Sequence, residues 1–133
     1  MKKTIHVVGA IIENEQKEIF CALRSKQMSL PNLWEFPGGK IEKNETPEAA
    51  LHREILEEFN CEIIVKEKVE DTTYEYETFI VRLETYMAQI VKGHPQITEH
   101  ADAKWVKRED LYLLEFAPAD IPAVEKLVSQ TNC

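Results

Sequence analysis

Residues Gly38 to Cys61, GGKIEKNETPEAALHREILEEFNC, decide the reading of this chain. Thr46 is a good helix N-cap, because its hydroxyl can accept a free backbone N–H, and Pro47 suits the first helical position, where no N–H is needed. Leu51, Ile55 and Phe59 then recur at helical spacing, with Ala49 and Leu56 widening the apolar stripe. Asn60 tolerates the left-handed conformation that closes a helix. The pattern therefore predicts a helix over Pro47–Phe59. Glu54, Glu57 and Glu58 stand at i, i+3 and i+4, so their carboxylates share one face beside the stripe. They repel one another, and Glu57 and Glu58 lie in the last turn, where the helix dipole disfavours negative charge. One reading is a solvated acidic face. The other is a site for a divalent cation, which would remove the electrostatic cost. Ligands that are all oxygen point to Mg2+ or Mn2+ rather than zinc.

Just before this helix, Leu33–Phe36 (LWEF) reads as a short strand leading into Pro37 and a Gly38-Gly39 turn. Glycines let a backbone approach a ligand closely and free its carbonyls. Lys40 follows as a point charge suited to a phosphate. Further out, Thr4–Ile12 and Ile19–Leu23 are apolar and β-rich, and read as a hairpin around the polar turn Glu13–Glu18. Glu62–Val69 and Thr78–Ile90 read as strands, with Asp71–Glu77 pairing between them. Tyr74 and Tyr76 share one face there. Lys92–Thr98 is a loop, and Lys104–Val106 a short strand. Arg108–Leu111 is a helical turn, and a last amphipathic helix runs from about Pro122 to Gln130, with Asp120 placed to cap it. His100 has no partner at zinc-ligand spacing and reads as surface or pocket rim.

The chain has 133 residues, enough for one domain with a real core. No repeat or linker divides it. A net charge of -8 argues against passive binding to a nucleic-acid polymer or an anionic membrane. A polyanionic substrate would need metal ions and local basic groups. The cysteines, Cys21, Cys61 and Cys133, are odd in number and form no CxxC pair, as expected in a reducing compartment. No signal peptide or membrane-length apolar run is present, so a cytoplasmic location is expected. No obligate protein partner is evident.

Gly39, Glu45, Arg53, Glu54, Ile55, Glu57 and Glu58 follow one pattern: G, five residues, E, seven residues, R-E-aliphatic, one residue, E-E. By these residues the chain resembles the Nudix hydrolases. The family continues with Gly and an aliphatic residue where this chain has Asn60 and Cys61. The likeness is to the MutT-type members and spans nearly the whole chain. It implies an α/β fold, an α/β/α sandwich with a mixed β-sheet. It implies metal-dependent hydrolysis of a nucleoside triphosphate to the monophosphate and pyrophosphate, the house-cleaning of 8-oxo-dGTP or (d)CTP-type nucleotides. The metal, Mg2+ or alternatively Mn2+, would be held by Gly38, Gly39, Glu54, Glu57, Glu58 and, from TEHADAKWV, Glu99. Glu54 or Glu99 would take the proton, with Glu54 favoured, while Arg53 fixes the Glu side chains. Arg24 matches a phosphate-contacting Arg, and Phe36, Pro37, Gly38 and Lys40 would meet the substrate. Asp120 falls where MutT-type members carry a base-reading Asn, and FAPADIP is similar to the cytidine-triphosphate branch. Two alternatives stay open. One is a non-catalytic nucleotide-binding Nudix module, which loss of a box carboxylate would favour; none is lost. The other is a hydrolase of a nucleoside diphosphate derivative.

Overall fold

The computed structural model describes residues 2–130. Strand β1, Lys3–Ile12, is its centre. It pairs in parallel with β6, Phe79–Lys92, and antiparallel with the short β4, Gly38–Lys40. Beyond β6 lies β5, Glu62–Glu75, antiparallel to it, which gives a mixed four-stranded sheet in the order β4-β1-β6-β5. A second, three-stranded antiparallel sheet places β2, Glu18–Leu23, between β3, Trp34–Glu35, and β7, Asp102–Lys107.

Two helices cover this layer. Helix α1 runs Pro47–Phe59 as expected, with the Thr46 hydroxyl accepting from Ala49 N and Asn60 left-handed at φ 56°. It buries Ala50, Leu51, Ile55 and Phe59 against Val8, Ala10 and Ile12 of β1 and Phe20 and Ala22 of β2. Leu51, Ile55 and Phe59 each contribute roughly 1.5–3 kcal/mol by leaving water. Helix α2, Ile121–Ser129, packs Ala123, Val124 and Leu127 on the opposite face, against Ile11, Ile19 and Cys21. Neighbouring residues of β1 and of β2 thus serve both cores, as strand alternation requires. The two sheets lie side by side between the helices, in an α/β/α arrangement.

Several expectations change. The stretches read as a hairpin join antiparallel only at the tip, through the Glu13–Ile19 bridge and the Asn14 N–H donating to the Glu18 carbonyl at 3.0 Å, and beyond it they belong to different sheets. The polar stretch between them is too weak a signal to fix a partner. Asp71–Glu75 is no separate strand but the far half of β5, reached through register shifts between Val65 and Glu70. Gly38-Gly39 is not a turn but strand β4. A Cβ on Gly38 would collide with the Val8 carbonyl, so the residue is there for close approach rather than for a left-handed φ.

One polar group interrupts the α1-side face of the sheet. Glu84 of β6 is buried, with Lys68 Nζ at 2.8 Å, His6 Nε2 at 2.5 Å and Tyr86 Oη at 2.9 Å. Burial alone would raise its pKa, but those three hydrogen bonds outweigh it and hold the carboxyl below its usual range. Among the described residues, no helix is long and apolar enough to cross a membrane.

Candidate active site

The C-terminal half of α1, strand β4 and the end of β3 meet at a cleft of about 490 Å3. Glu54, Glu58, Gly38, Gly39 and Lys40 line one end, and Asp120 and Phe36 line the other. A groove of about 620 Å3 elsewhere, with Lys17, Lys66 and Lys126 on its walls, contains none of these residues.

The carboxylate end is organised by Arg53. Its Nε and Nη2 donate to Glu45 at 2.7 and 3.0 Å, and its Nη1 to Glu54 at 2.6 Å and Glu57 at 3.0 Å. Nη2 also reaches the Lys40 carbonyl at 3.1 Å. This planar fork ties α1 to the loop before it and to β4, a role a point charge cannot reproduce. It also holds the Glu45 carboxyl down at about 2. Arg53 thus pairs with Glu45, Glu54 and Glu57 at once. Glu54 presses on β4 so closely that a Cβ on Gly39 would overlap its carboxylate. Glycine is the residue that fits there.

Glu58 has the opposite environment to Glu45. Burial first, then a hydrogen bond from its protonated carboxyl to Glu54 and the negative charges of Glu54, Glu35 and Glu99, push Glu58 up to about 8. Glu54 and Glu58 lie one helical turn apart and both line the cleft. Glu99 is exposed; its neighbour Thr98 is tied to the Glu58 carbonyl at 2.9 Å, and the negative charge of Glu99 is felt at Glu58. Glu57 is exposed too and turns to Arg53 rather than into the cleft. Among the described residues, no three His, Cys, Asp or Glu side chains converge as a preformed metal cluster. Of the expected ligands, Gly38, Gly39, Glu54 and Glu58 line the cleft together, whereas Glu57 is held outside it by Arg53.

At the far end Asp120 is almost completely buried. It was expected to cap α2, but its side chain makes no capping bond. Instead Oδ1 accepts from Phe36 N at 3.4 Å. Burial, with Glu35 second, raises its pKa well above the ordinary value, against the Phe36 N–H and Arg24. Tyr76, stacked on Phe79 at 5.0 Å, walls this end, and its hydroxyl accepts from Ala119 N at 3.2 Å beside Asp120. Met28 and Leu30 line the cleft rather than capping the core. Pro37 is buried in the core and absent from the cleft wall; its carbonyl accepts from Ala10 N at 2.7 Å.

Glu35, on the cleft wall, was not singled out by sequence. Glu35 Oε1 accepts from Arg24 Nη1 at 2.6 Å, and Oε2 meets His100 Nε2 at 2.7 Å. Glu35 alternates out of a strand whose neighbours Trp34 and Phe36 are buried, and that alternation was the available signal. His100 lines the cleft, the pocket-rim reading of the two offered; it is buried, and its ring stacks on Phe59 at 5.3 Å. Arg24 lines the cleft, but three of its five N–H groups already go to Glu35 and to the carbonyl and hydroxyl of Ser29.

Comparison with known proteins supplies the lineage. The profile described as the NUDIX domain matches residues 3–127. An 8-oxo-dGTP diphosphatase of Haemophilus influenzae is 34% identical over 131 residues, 98% of this chain and 96% of that protein. A CTP pyrophosphohydrolase of Escherichia coli is 38% identical over 127 residues, 96% of this chain and 93% of that protein. A solution structure of MutT, a Nudix hydrolase from methicillin-resistant Staphylococcus aureus, is 53% identical, with a TM-score of 0.80 and 98% and 99% of the two chains covered. With residues 3–127 matched by that profile and such relatives aligned over nearly its whole length, this chain belongs to the Nudix family.

Proposed function

We propose that the protein hydrolyses nucleoside triphosphates to the monophosphate and pyrophosphate, with a divalent cation at the C-terminal end of α1. The observation that carries this reading is the Glu54–Glu58 pair. Two carboxylates one helical turn apart on the wall of one cleft, with Glu58 burdened by burial and by the charge of its neighbours, form a site that a cation would relieve. The donor set fits: Glu54, Glu58, the Gly38 and Gly39 backbone and Glu99 offer only oxygen, which suits Mg2+, with Mn2+ as a substitute. What such a cation supplies is charge neutralisation at the phosphates and acidification of the attacking water.

The protein's own groups do the rest. Arg53 engages Oε1 of Glu54, leaving the other oxygen, beside Gly39, to take the proton from water. Lys40 stands on the cleft wall as a free cation for a phosphate. Arg24 keeps N–H groups for the same task. Its guanidinium is already oriented by Glu35 and Ser29, so little freedom is lost on binding.

Asp120 and the Tyr76–Phe79 wall take the base. A neutral Asp120 offers one donor and one acceptor, which matches N3 and the N4 amine of cytosine. The same pair matches O6 and N1–H of guanine or 8-oxoguanine, so both substrate classes suit the site. The names borne by the Haemophilus influenzae and Escherichia coli relatives support the same two classes. We place the protein in the cytoplasm on its cysteine usage, with Cys21 and Cys61 buried and free. Cys133 lies outside the described residues. The test is kcat/KM for 8-oxo-dGTP, dCTP, CTP and dGTP with Mg2+. At least one of the first three should exceed dGTP clearly, and a panel at background would overturn the substrate class.

A further inference from the structure

The loop that carries Glu99 has no regular structure, yet it is fastened at every other step. Gln96 N donates to the Phe59 carbonyl at 2.8 Å, and the Thr98 hydroxyl to the Glu58 carbonyl at 2.9 Å. Both acceptors belong to the last turn of α1, whose carbonyls have no partner inside the helix. Ala101 N then donates to Leu23 O at 2.9 Å, where β7 begins to pair with β2. Between these ties stand Glu99 and His100. The imidazole of His100 is buried and lies flat on Phe59, with an interplanar angle of 29°. Its Nε2 meets Oε2 of Glu35 at 2.7 Å, and the other oxygen of Glu35 holds Arg24.

We infer that His100 is a positioning residue. It fixes Glu99 at the carboxylate end of α1 and, through Glu35, joins that end of the cleft to the Arg24 guanidinium. The inference rests on the metal-dependent reading above. A carboxylate on an untethered loop loses conformational entropy each time it joins a ligand set. With its neighbour pinned by a ring stack and a hydrogen bond, Glu99 has already lost most of that freedom. Glu35 is bound on both oxygens, so loss of the imidazole also frees one constraint on Arg24.

The test separates the stack from the hydrogen bond. His100→Phe keeps a ring on Phe59 and loses the N–H to Glu35. His100→Gln loses the ring but keeps an N–H at a similar reach. His100→Ala loses both. Mn2+ affinity is read by paramagnetic resonance on the free protein, with circular dichroism as the check on folding. His100→Ala and His100→Phe should bind Mn2+ about tenfold more weakly than wild type, the size seen when a supporting partner of a metal ligand is removed. His100→Gln should recover most of the affinity. In turnover, the Mg2+ concentration for half-maximal rate should rise in the same order. A folded His100→Phe that binds Mn2+ like wild type overturns the inference, and so does His100→Gln as weak as His100→Phe. A wild-type protein that binds no Mn2+ fails the hydrolase reading itself, a result distinct from either.

Discussion

Asp120 shows what one buried side chain can set. It lines the cleft with one long hydrogen bond from Phe36 N, and burial raises its pKa well above the usual range. The sign follows from linkage. An acid whose folded pKa is raised contributes stability below its unfolded value, 3.8, and loses it as pH rises through the folded value. Asp120→Asn removes that loss. Its melting temperature relative to wild type should therefore increase between about pH 4.5 and pH 7.5, read by scanning calorimetry. A gap that stays constant over that range would show that Asp120 is ionised in the fold. Glu45 lies at the other extreme, since Arg53 holds it ionised under nearly all conditions.

Helix α1 was legible in the sequence almost to the residue because its signals are local. Thr46 and Pro47 start it, Leu51, Ile55 and Phe59 give it a face, and Asn60 ends it. The carboxylate cluster was legible for the same reason, since helical spacing alone puts Glu54 and Glu58 together. What was not legible depends on partners far away in the chain. Glu35 matters through Arg24 and His100, and His100 is 65 residues downstream of it. The pairing of β1 with β6 rather than β2 is likewise a long-range choice. The Gly38-Gly39 pair marked a special backbone correctly, but the need was room for the Val8 carbonyl and Glu54, which no local pattern reveals. At this scale the test is Arg53→Lys. Lysine keeps the charge but cannot bind Glu45, Glu54 and Glu57 together. We expect kcat to fall by about 10–100-fold with the helix intact by circular dichroism. An unaffected kcat would mean that the fork does not set the glutamate geometry.

At the scale of the whole molecule, a chain of net charge -8 gathers more negative charge at one cleft and is read as binding a polyanion there. That arrangement is reasonable only if a cation joins the complex. Mn2+ or Mg2+ at about 100 times its dissociation constant should stabilise the native protein by roughly 2.7 kcal/mol, since an unfolded chain has no such site. The rise in melting temperature should saturate with metal concentration and be absent with sodium at equal ionic strength. The most direct measurement is product analysis with Glu58→Gln, which keeps the shape of the side chain and removes its charge. Wild type with Mg2+ should convert the preferred triphosphate to the monophosphate and pyrophosphate, seen by phosphorus resonance. The variant, folded and melting cooperatively, should be slower by more than about 100-fold. Equal rates for the two proteins, or release of orthophosphate and the diphosphate instead, would contradict the account.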